Sequence, residues 1–347
     1  MPASPAREVV RWIKTTRLYA RVGLTRMNPR KAFVMLRYWI LTHLFKKDIP
    51  WLIEFSVTYR CQASCKHCSV SNYFPEANKS KELSTEKVKD ILKQAVTLGI
   101  PKIDFFGGEP LLRADIIELV TYGEGLGLYT SITTNAWQLT YERVKQLKKA
   151  GISCINVSID SPQAEEHDRS RGVKGMHQRA VEGITYCRQE GIPCIVSTYA
   201  TRRRIQNFAA GEKDDSVLSG ILRLSRKLEA TGVRILFPII AGEWVKAKEN
   251  EFTDEEKRGI IENIDPSFAF IEGAYSVVKK NKVCQALSGK MLNISPYGDL
   301  QLCVAFTNTF GNVKEQSLET LMKAMRRHPI YQKNKDGSCC STTELKV

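Results

Sequence analysis

The chain has 347 residues, of which 43% are hydrophobic and 26% are charged, and this composition excludes a disordered chain. The length accommodates one large domain and a smaller one. The net charge is +15, and residues 1–50 carry most of it, with eleven lysines and arginines against two acidic residues.

Ten cysteines raise the question of disulfide bonds. We find no signal peptide at the start of the sequence. The longest apolar run, residues 32–45, contains Arg37 and His43, and it is too short and too polar to cross a bilayer. These features predict a reducing, cytoplasmic location, in which clustered cysteines more often bind metal or perform redox chemistry than form disulfides.

Residues 1–50 are predicted to form one or two basic amphipathic helices joined around residues 28–29. Large apolar residues such as Trp12, Phe33 and Trp39 are interleaved with the basic ones. Such a segment suits a helix that lies on anionic lipid at the inner face of a membrane, where each Lys or Arg contributes ~1 kcal/mol. The alternative is a helical cap packed against the rest of the fold. Nucleic-acid binding is not favoured, since no RNA-binding module is recognisable.

From residue 51 to residue 245, short β-rich runs alternate with helical segments. The predicted strands are Leu52–Thr58, Lys102–Phe106, Tyr129–Thr133, Ile155–Ile159, Cys194–Tyr199 and Arg234–Ile239. The predicted helices are Ser84–Leu98, Asp115–Gly125, Tyr141–Ala150, Met176–Glu190 and Ser216–Thr231. Gly99, Gly151, Gly191 and Gly232 are each predicted to end a helix in the left-handed conformation. Repeated strand–helix units predict parallel strands with right-handed crossovers, and either an open flavodoxin-type sheet or a partial barrel would satisfy this pattern.

Residues 246–347 are predicted to form a second, smaller domain. A helix over Asp254–Glu262 is followed by a tail punctuated by cysteine and glycine. Within this tail, residues 289–303 have the pattern of a hairpin, with two strands around a Pro-Tyr-Gly-Asp turn, and a helix is predicted over Leu318–Arg327. We therefore expect a small α+β unit after the strand–helix repeats.

Cys61, Cys65 and Cys68 form a CxxxCxxC pattern directly after the first predicted strand. Three thiolates within eight residues of one loop can reach three corners of a single iron–sulfur cube. No fourth cysteine lies nearby in the sequence, which would leave one iron open to a ligand that is not protein. The alternatives are buried free cysteines or a zinc loop with His67 as a further ligand, although a zinc site usually shows two pairs of ligands.

Residues 105–110 read Phe-Phe-Gly-Gly-Glu-Pro and end the second predicted strand. Gly107 and Gly108 would allow the backbone to come close to a ligand, and Glu109 adds a hydrogen-bond acceptor there. Both motifs follow strands and therefore belong to the C-terminal mouth, where barrel enzymes build their sites. Glycines at a strand end are common, but their combination with CxxxCxxC one strand earlier is specific.

On these two motifs, residues 51–245 resemble the radical S-adenosylmethionine (SAM) superfamily. The resemblance implies a partial (β/α)6 TIM-like barrel within the α/β class, and a [4Fe-4S] cluster and SAM as cofactors. It also implies that the cluster, reduced by a protein such as flavodoxin or ferredoxin, cleaves SAM to a 5′-deoxyadenosyl radical. That radical would then abstract hydrogen from a substrate.

The same resemblance implies roles for individual residues. Cys61, Cys65 and Cys68 would ligate the cluster, and the amino and carboxylate groups of SAM would chelate the remaining iron. The implied contacts with SAM are Gly107, Gly108 and Glu109 at its amino group, and Thr134, Asn135, Ser158 and Asp160 at ribose- or carboxylate-contacting positions. His67 stands where the family often has an aromatic residue, and it would either pack near the adenine or lie on the surface.

The tail resembles the SPASM and twitch C-terminal domains of radical SAM enzymes, which hold auxiliary iron–sulfur clusters. Its four cysteines are fewer than the series of a full SPASM domain, so the shorter twitch form fits better. The implied ligands are Cys284, Cys303 and one of the adjacent residues Cys339 and Cys340, since two neighbouring sulfurs rarely reach one small cluster. The alternative is that these cysteines bind no metal.

Two further segments are candidates for the site. Residues 167–172 resemble a loop of SPASM-type enzymes that touches SAM or substrate, or else they cap helices. The three arginines at residues 202–204 follow the fifth strand and would either pair with an anion, such as the carboxylate of SAM, or form a solvated face. Cys154, Cys187 and Cys194 lie in apolar surroundings and are expected to pack as small hydrophobic residues.

Three classes of function remain open on the sequence. The favoured class is an enzyme that oxidises or rearranges a small molecule, with the auxiliary cluster accepting an electron. The second is a maturase of a peptide or a membrane lipid; the basic segment favours lipids, and no peptide-recognition domain is evident. The third is a non-enzymatic iron–sulfur electron carrier or zinc protein, which would need no Gly-Gly-Glu-Pro motif.

Overall fold

The computed structural model describes residues 5–71, 78–205, 208, 216–238, 252–272, 285–304 and 308–335. The α-helices of these residues are α1 (Pro5–Leu24), α2 (Pro29–Trp39), α3 (Thr85–Leu98), α4 (Ile116–Gly125), α5 (Tyr141–Ala150), α6 (Ala164–Arg171), α7 (Met176–Gln189), α8 (Arg202–Ile205), α9 (Val217–Lys227), α10 (Asp254–Asn263), α11 (Leu318–Arg327) and α12 (Pro329–Asn334). The strands are β1 (Leu52–Thr58), β2 (Lys102–Gly107), β3 (Tyr129–Thr134), β4 (Cys154–Ser158), β5 (Cys194–Tyr199), β6 (Gly232–Leu236), β7 (Ala269–Glu272), β8 (Met291–Ile294), β9 (Asp299–Gln301) and β10 (Thr309–Asn312).

The strands of the described residues form one sheet in the order β10-β9-β8-β1-β2-β3-β4-β5-β6-β7. Neighbouring strands from β8 through β1 to β7 are parallel. Beyond β8, the short strands β9 and β10 pair antiparallel. The sheet keeps two edges, β10 and β7, so the barrel is not closed. This architecture confirms the predicted α/β class with a partial barrel.

The helices between the strands each bury one face against the sheet. In α3, the Ser84 side chain caps the first turn, and Val88, Ile91 and Ala95 are buried at helical spacing. Strand β1 is buried along nearly its whole length, and Phe55 is fully inaccessible to solvent. Burial on both faces is expected of a parallel strand that is covered by crossover helices. The same packing fixes where each strand ends, and therefore where the loops of the site begin.

Several predicted elements have the observed bounds, namely β1, β5, α5 and α11. Gly99, Gly151 and Gly191 adopt positive φ at or just after the ends of their helices, as predicted. Strand β7 was not predicted from the sequence. The chain beyond residue 246 contributes β7 and β8 to the sheet that also contains the barrel strands. The division of the chain into domains 1–50, 51–245 and 246–347 stays a prediction.

The prediction for Gly232 was wrong. Helix α9 ends at Lys227, the left-handed conformation is taken by Glu229 at φ 55°, and Gly232 is the first residue of β6. A Cβ atom at Gly232 would lie 2.9 Å from the carbonyl oxygen of Phe268 and 3.0 Å from Leu18 Cδ1. The glycine is therefore required for close packing of a strand and a helix, and not for ending a helix.

The two N-terminal helices, which confirm the predicted helical segment, pack on one end of the barrel. We call this end, where β3, β4 and β6 begin, the barrel floor, and the opposite end, where the strands finish, the barrel mouth. Lys31 of α2 is buried there, with its Nζ 2.5 Å from Glu124 Oε2 and 2.8 Å from Ser153 Oγ. In α1, Leu18 is fully buried against the first residue of β6. Among the described residues, no helix has the length and apolar character that a membrane span requires.

Candidate functional site

The predicted site residues of the barrel come together at the mouth. Cys61 follows β1, Glu109 follows β2, Asn135 follows β3 and Asp160 follows β4, and these four strands are neighbours in the sheet. Of the cysteines predicted in the tail, the structure describes Cys303, which is half-buried just after β9. The other predicted tail ligands lie outside the described residues, and they are Cys284, Cys339 and Cys340.

Gly107 and Gly108 bring the end of β2 against the segment that leads into the cysteine loop. Gly107 has φ 139°, and a Cβ atom on it would lie 2.1 Å from the carbonyl oxygen of Thr58. A Cβ atom on Gly108 would lie 2.4 Å from the carbonyl oxygen of Arg60. The amides of Gly108 and Glu109 donate to these same carbonyls, each at 2.8 Å. The glycines therefore position the start of the cysteine loop, in addition to any contact with a ligand.

Glu109 is fully buried, and its carboxylate accepts three hydrogen bonds. The donors are the amide of Leu111 at 3.0 Å, the hydroxyl of Thr134 at 2.7 Å and the amide of Asn135 at 2.9 Å. Burial raises the pKa of Glu109, and these hydrogen bonds oppose that rise only in part. No lysine or arginine of the described residues forms an ion pair with it. A cationic group bound beside this carboxylate would stabilise its ionised form.

Asn135 connects Glu109 to the first cysteine. Its amide nitrogen Nδ2 donates to Cys61 Sγ at 3.7 Å, and its Oδ1 accepts from Gln62 Nε2 at 2.9 Å and from the Trp137 amide at 3.0 Å. The side-chain amide oxygen of Gln62, Oε1, is buried and has no hydrogen-bond partner in the described structure. The mouth thus offers a bound ligand an unsatisfied acceptor next to Cys61.

Cys61, Cys65 and Cys68 are half-buried free thiols. Burial raises the pKa of Cys61 and that of Cys68 to about 12, and the charges of the neighbouring cysteines act in the same direction. Burial also raises the pKa of Cys65. The thiolate forms therefore need a positively charged partner such as iron.

The arrangement of these thiols distinguishes a site for a single metal ion from a site for an iron–sulfur cube. Within the described residues, no group of three or more His, Cys, Asp or Glu side chains is arranged to hold a metal ion. A cube makes a different demand, because each thiolate binds its own corner iron and the sulfurs need not meet at one point.

Helix α6 holds the cysteine loop by its C-terminal end. The amide of Ser64 donates to the carbonyl of Arg171 at 3.1 Å, and the amide of Lys66 donates to the carbonyl of Ser170 at 3.0 Å. Carbonyls in the last turn of a helix have no partner within that helix, so the loop satisfies them. Gly172 follows with φ 72°, and a Cβ atom there would lie 2.1 Å from Ser64 Oγ. This segment, residues 167–172, therefore contacts the backbone of the cysteine loop.

The Asp160 carboxylate is buried at the centre of an ionic cluster. It lies 2.8 Å from Arg171 Nε, 3.0 Å from Arg204 Nη1 and 3.2 Å from His67 Nε2. Burial alone would raise the pKa of Asp160, but the two arginines hold it well below its usual range. Burial lowers the pKa of His67 to about 4, so this histidine is neutral at pH 7 and accompanies Asp160 as a dipole. The predicted contact between Asp160 and SAM stays a prediction.

The other predicted arginines also pair with protein groups. Arg202 contacts Glu256, and Arg203 lies 2.9 Å from Glu166. Ser158 is half-buried at the end of β4, beside Ser197 of β5. Sequence reasoning missed Gln62, although its place directly after the first cysteine was a usable signal.

Comparison with known families shows what part of the chain is shared. Residues 55–202 match the family model described as Radical SAM superfamily. An AdoMet-dependent heme synthase from Oleidesulfovibrio alaskensis is 32% identical over 213 residues, which are 60% of this chain and 51% of that protein. A PqqA peptide cyclase from Rhizobium meliloti is 29% identical over 289 residues, 78% of this chain and 73% of that protein. The chain thus spans about half the length of the heme synthases that it matches.

Solved structures share the fold at low sequence identity. Streptococcus suis SuiB bound to its precursor peptide SuiA superposes with a TM-score of 0.66 at 17% identity, over 86% of this chain and 70% of that one. The enzyme anSMEcpe with bound AdoMet has a TM-score of 0.56 at 13% identity, over 79% and 80% of the two chains. At such identities the likeness concerns the fold.

Proposed function

We propose that Cys61, Cys65 and Cys68 hold the [4Fe-4S] cluster of the radical SAM domain that this chain carries, with SAM bound beside the cluster at the barrel mouth. The residues present fit these groups, because three free thiols share one loop, Glu109 forms no ion pair within the described residues, and the Oε1 atom of Gln62 has no hydrogen-bond partner there. When bound, the two cofactors supply one-electron chemistry that yields a radical able to abstract hydrogen from a substrate.

The single observation that carries this proposal is the buried carboxylate of Glu109. It is fully inaccessible, lies one residue after the glycine pair, and is connected to Cys61 through Asn135. A buried charge without an ion-pair partner is costly, whereas an ammonium group at this position would compensate it. The amino group of SAM supplies such a charge, so Glu109 orients SAM toward the cysteine loop.

The remaining residues of the mouth hold the reacting groups in place. Gly107 and Gly108 fix the entry to the cysteine loop, and α6 fixes its middle through the amides of Ser64 and Lys66. Asp160 binds the arginines that lie behind this loop. Precise positioning of this kind is what the protein contributes to cofactor chemistry, together with the exclusion of water.

For the substrate, we favour a small molecule that is oxidised or rearranged. The relatives named heme synthase support this class, since heme is a small molecule. A peptide is the second candidate, and it is favoured by the PqqA peptide cyclase relative, whose match extends over 78% of this chain. Comparison of metabolites, lipids and small peptides between a gene-deletion strain and its parent, by mass spectrometry, separates these classes.

Further partners complete the proposal. The half-buried Cys303 after β9, with the other tail cysteines, would hold an auxiliary cluster of twitch type. A flavodoxin or ferredoxin would supply electrons to the mouth. Residues 1–50 would contact a membrane surface, since α1 and α2 carry exposed aromatic side chains and many cations. A non-enzymatic electron carrier is not favoured, because it would need neither Glu109 nor the glycine pair.

Cleavage of SAM in the absence of substrate tests the proposal. Anaerobically reconstituted protein with dithionite and SAM is expected to form 5′-deoxyadenosine, and Cys65→Ala is expected to abolish it, since two thiolates cannot hold the cube in its SAM-binding form. Cys187→Ala is the matched control, because Cys187 is buried in α7 away from the mouth. Turnover that survives Cys65→Ala would contradict the assignment.

A further inference from the structure

The N-terminal helices present a large apolar surface to solvent. Among the described residues, every exposed large apolar side chain except Tyr141 belongs to residues 9–45. Those that are more than half exposed include Trp12, Leu24, Phe33, Leu36, Leu44 and Phe45. Exposed apolar side chains that are concentrated in one segment indicate an interaction site, whereas single exposed apolar residues are ordinary. We call this surface the outer face.

The outer face is distinct from the face by which these helices join the fold. Leu18, Lys31 and Val34 are buried against the barrel floor, with exposed fractions of 0%, 1% and 4%. Tyr129 Oη also donates to the carbonyl of Val22 at 3.1 Å, and Arg37 Nη2 donates to that of Thr97 at 2.8 Å. The helices are therefore already docked on the barrel, and the outer face is left over after that packing.

Positive charge accompanies the outer face. Arg17 and Arg21 project from α1 as exposed residues, Lys46 and Lys47 follow α2, and none of them forms an ion pair within the described structure. The acidic residue Asp48 is engaged by Lys290 at 2.6 Å and by Arg326 at 3.2 Å. Apolar and aromatic side chains flanked by uncompensated cations complement an anionic lipid surface.

Other occupants fit this surface less well. A second copy of the chain on a two-fold axis would bring the same cations face to face. A nucleic acid would pair with the cations but would leave Leu24, Leu36 and Leu44 in water. A bilayer of anionic lipid satisfies both features, because the leucines enter the acyl boundary while the basic side chains stay among the headgroups.

The position of the outer face fixes how the molecule would lie. Helices α1 and α2 contact the barrel where β3, β4 and β6 begin, whereas Cys61, Glu109 and Asn135 follow the ends of their strands. We infer that the chain docks through the outer face with its barrel floor toward an anionic membrane and its mouth turned toward water. The location of the site in this inference rests on the proposed function.

This orientation has a consequence for the substrate. In a parallel barrel the floor and the mouth are separated by the length of the strands, so a carbon atom embedded in the bilayer does not reach the mouth of a docked molecule. The substrate class is therefore a molecule that arrives from the aqueous side. This argues against the membrane-lipid alternative while keeping the membrane as a partner.

Binding to vesicles tests the docking. The full chain is expected to sediment with phosphatidylglycerol-containing vesicles, to bind pure phosphatidylcholine vesicles at least tenfold more weakly, and to be released as salt is raised. The double change Phe33→Ser and Leu36→Ser is expected to weaken binding at least tenfold, from the lost burial of two large side chains. Tyr141→Ser, an exposed apolar residue elsewhere, is the matched control and is expected to change binding less than twofold.

Quenching of tryptophan fluorescence by lipids brominated in their acyl chains tests the orientation. Trp12 and Trp39 lie on the outer face, whereas Trp137 follows β3 at the mouth. Replacing Trp12 and Trp39 with phenylalanine is expected to abolish the quenching while vesicle binding is retained. The change Trp137→Phe is expected to leave the quenching intact. Quenching that depends on Trp137 would overturn the inference, as would equal binding to neutral vesicles or concentration-dependent dimers without vesicle binding. Formation of 5′-deoxyadenosine in solution is measured separately, so failure here removes the membrane contact of residues 1–50 and leaves the proposed cluster and SAM site standing.

Discussion

Asn135 shows how single residues could tune the proposed cluster. Its side-chain Nδ2 donates to Cys61 Sγ, and its backbone amide donates to the carboxylate of Glu109. Hydrogen bonds to cluster sulfurs are among the features that set the reduction potential, since they stabilise the more negative, reduced state. The sequence placed Asn135 at the mouth through a family resemblance, but only the fold shows that its amide reaches a cysteine.

Replacing Asn135 with alanine is expected to lower the midpoint potential of the reconstituted cluster, on the order of tens of millivolts. The loss of a donor to Cys61 Sγ is the physical reason, and a redox titration followed by electron paramagnetic resonance (EPR) measures it. Gln62→Ala is the control, since Gln62 contacts the same amide without bonding to the sulfur. An unchanged potential with full iron content in Asn135→Ala would refute this role.

At the scale of elements, a pair of glycines allows a controlled test of the contact between α6 and the cysteine loop. Gly172 and Gly175 both have positive φ, at 72° and 84°. A Cβ atom on Gly172 would clash with Ser64, whereas nothing lies within 4 Å of one on Gly175. An alanine therefore causes similar backbone strain at both positions, of about 1 kcal/mol. Only the alanine at position 172 would displace the cysteine loop.

We expect Gly172→Ala to retain less than half of the iron that reconstituted wild type holds, and Gly175→Ala to retain nearly all of it. Iron and sulfide analysis per chain measures the difference, with thermal unfolding as a check that both variants fold. Equal iron retention in the two variants would show that the contact between α6 and the cysteine loop does not position the cysteines.

The helices and strands that could be predicted from the sequence are those with a local sequence signal at their ends. Helix α5 was predicted with its bounds, and Gly151 was the signal for its left-handed C-terminal end; in the structure, the Thr140 side chain also caps its first turn. Strand β7 was missed because it is four residues long and its partner β6 is distant in sequence. Gly232 was misread because a close approach by Phe268 and Leu18 is a tertiary requirement with no local pattern.

For the whole molecule, the parallel fold followed from the strand–helix repeats, and the cysteine and Gly-Gly-Glu-Pro motifs were placed at the mouth because they follow strands. Thr134, Asn135, Ser158 and Asp160 were predicted there only through the family resemblance. The ionic cluster around Asp160 was not predicted, because Arg171 and Arg204 reach it from α6 and α8 and pair with it only in three dimensions. The outer face was foreseen as composition, but its place on the barrel floor required the structure. Pairings between distant elements are the part that a single sequence leaves open.

The tail cysteines allow a prediction at this scale. Protein with Cys61→Ala, Cys65→Ala and Cys68→Ala together is expected to retain about four irons if the tail holds a cube. Adding Cys303→Ala is expected to remove them, as measured by iron analysis and visible absorption. A folded, colourless triple variant would show that the tail holds no cluster, and redox-neutral chemistry would then be favoured over substrate oxidation.

The most direct test of the central claim is the EPR spectrum of the reduced cluster with and without SAM. Three cysteine ligands leave one iron of the cube open, and we propose that SAM occupies it. Recorded on a Cys303→Ala background to remove the signal of the tail, the spectrum is expected to change its g-values when SAM is added, and to vanish in Cys65→Ala. A spectrum of the three-cysteine cluster that is identical with and without saturating SAM would contradict the account.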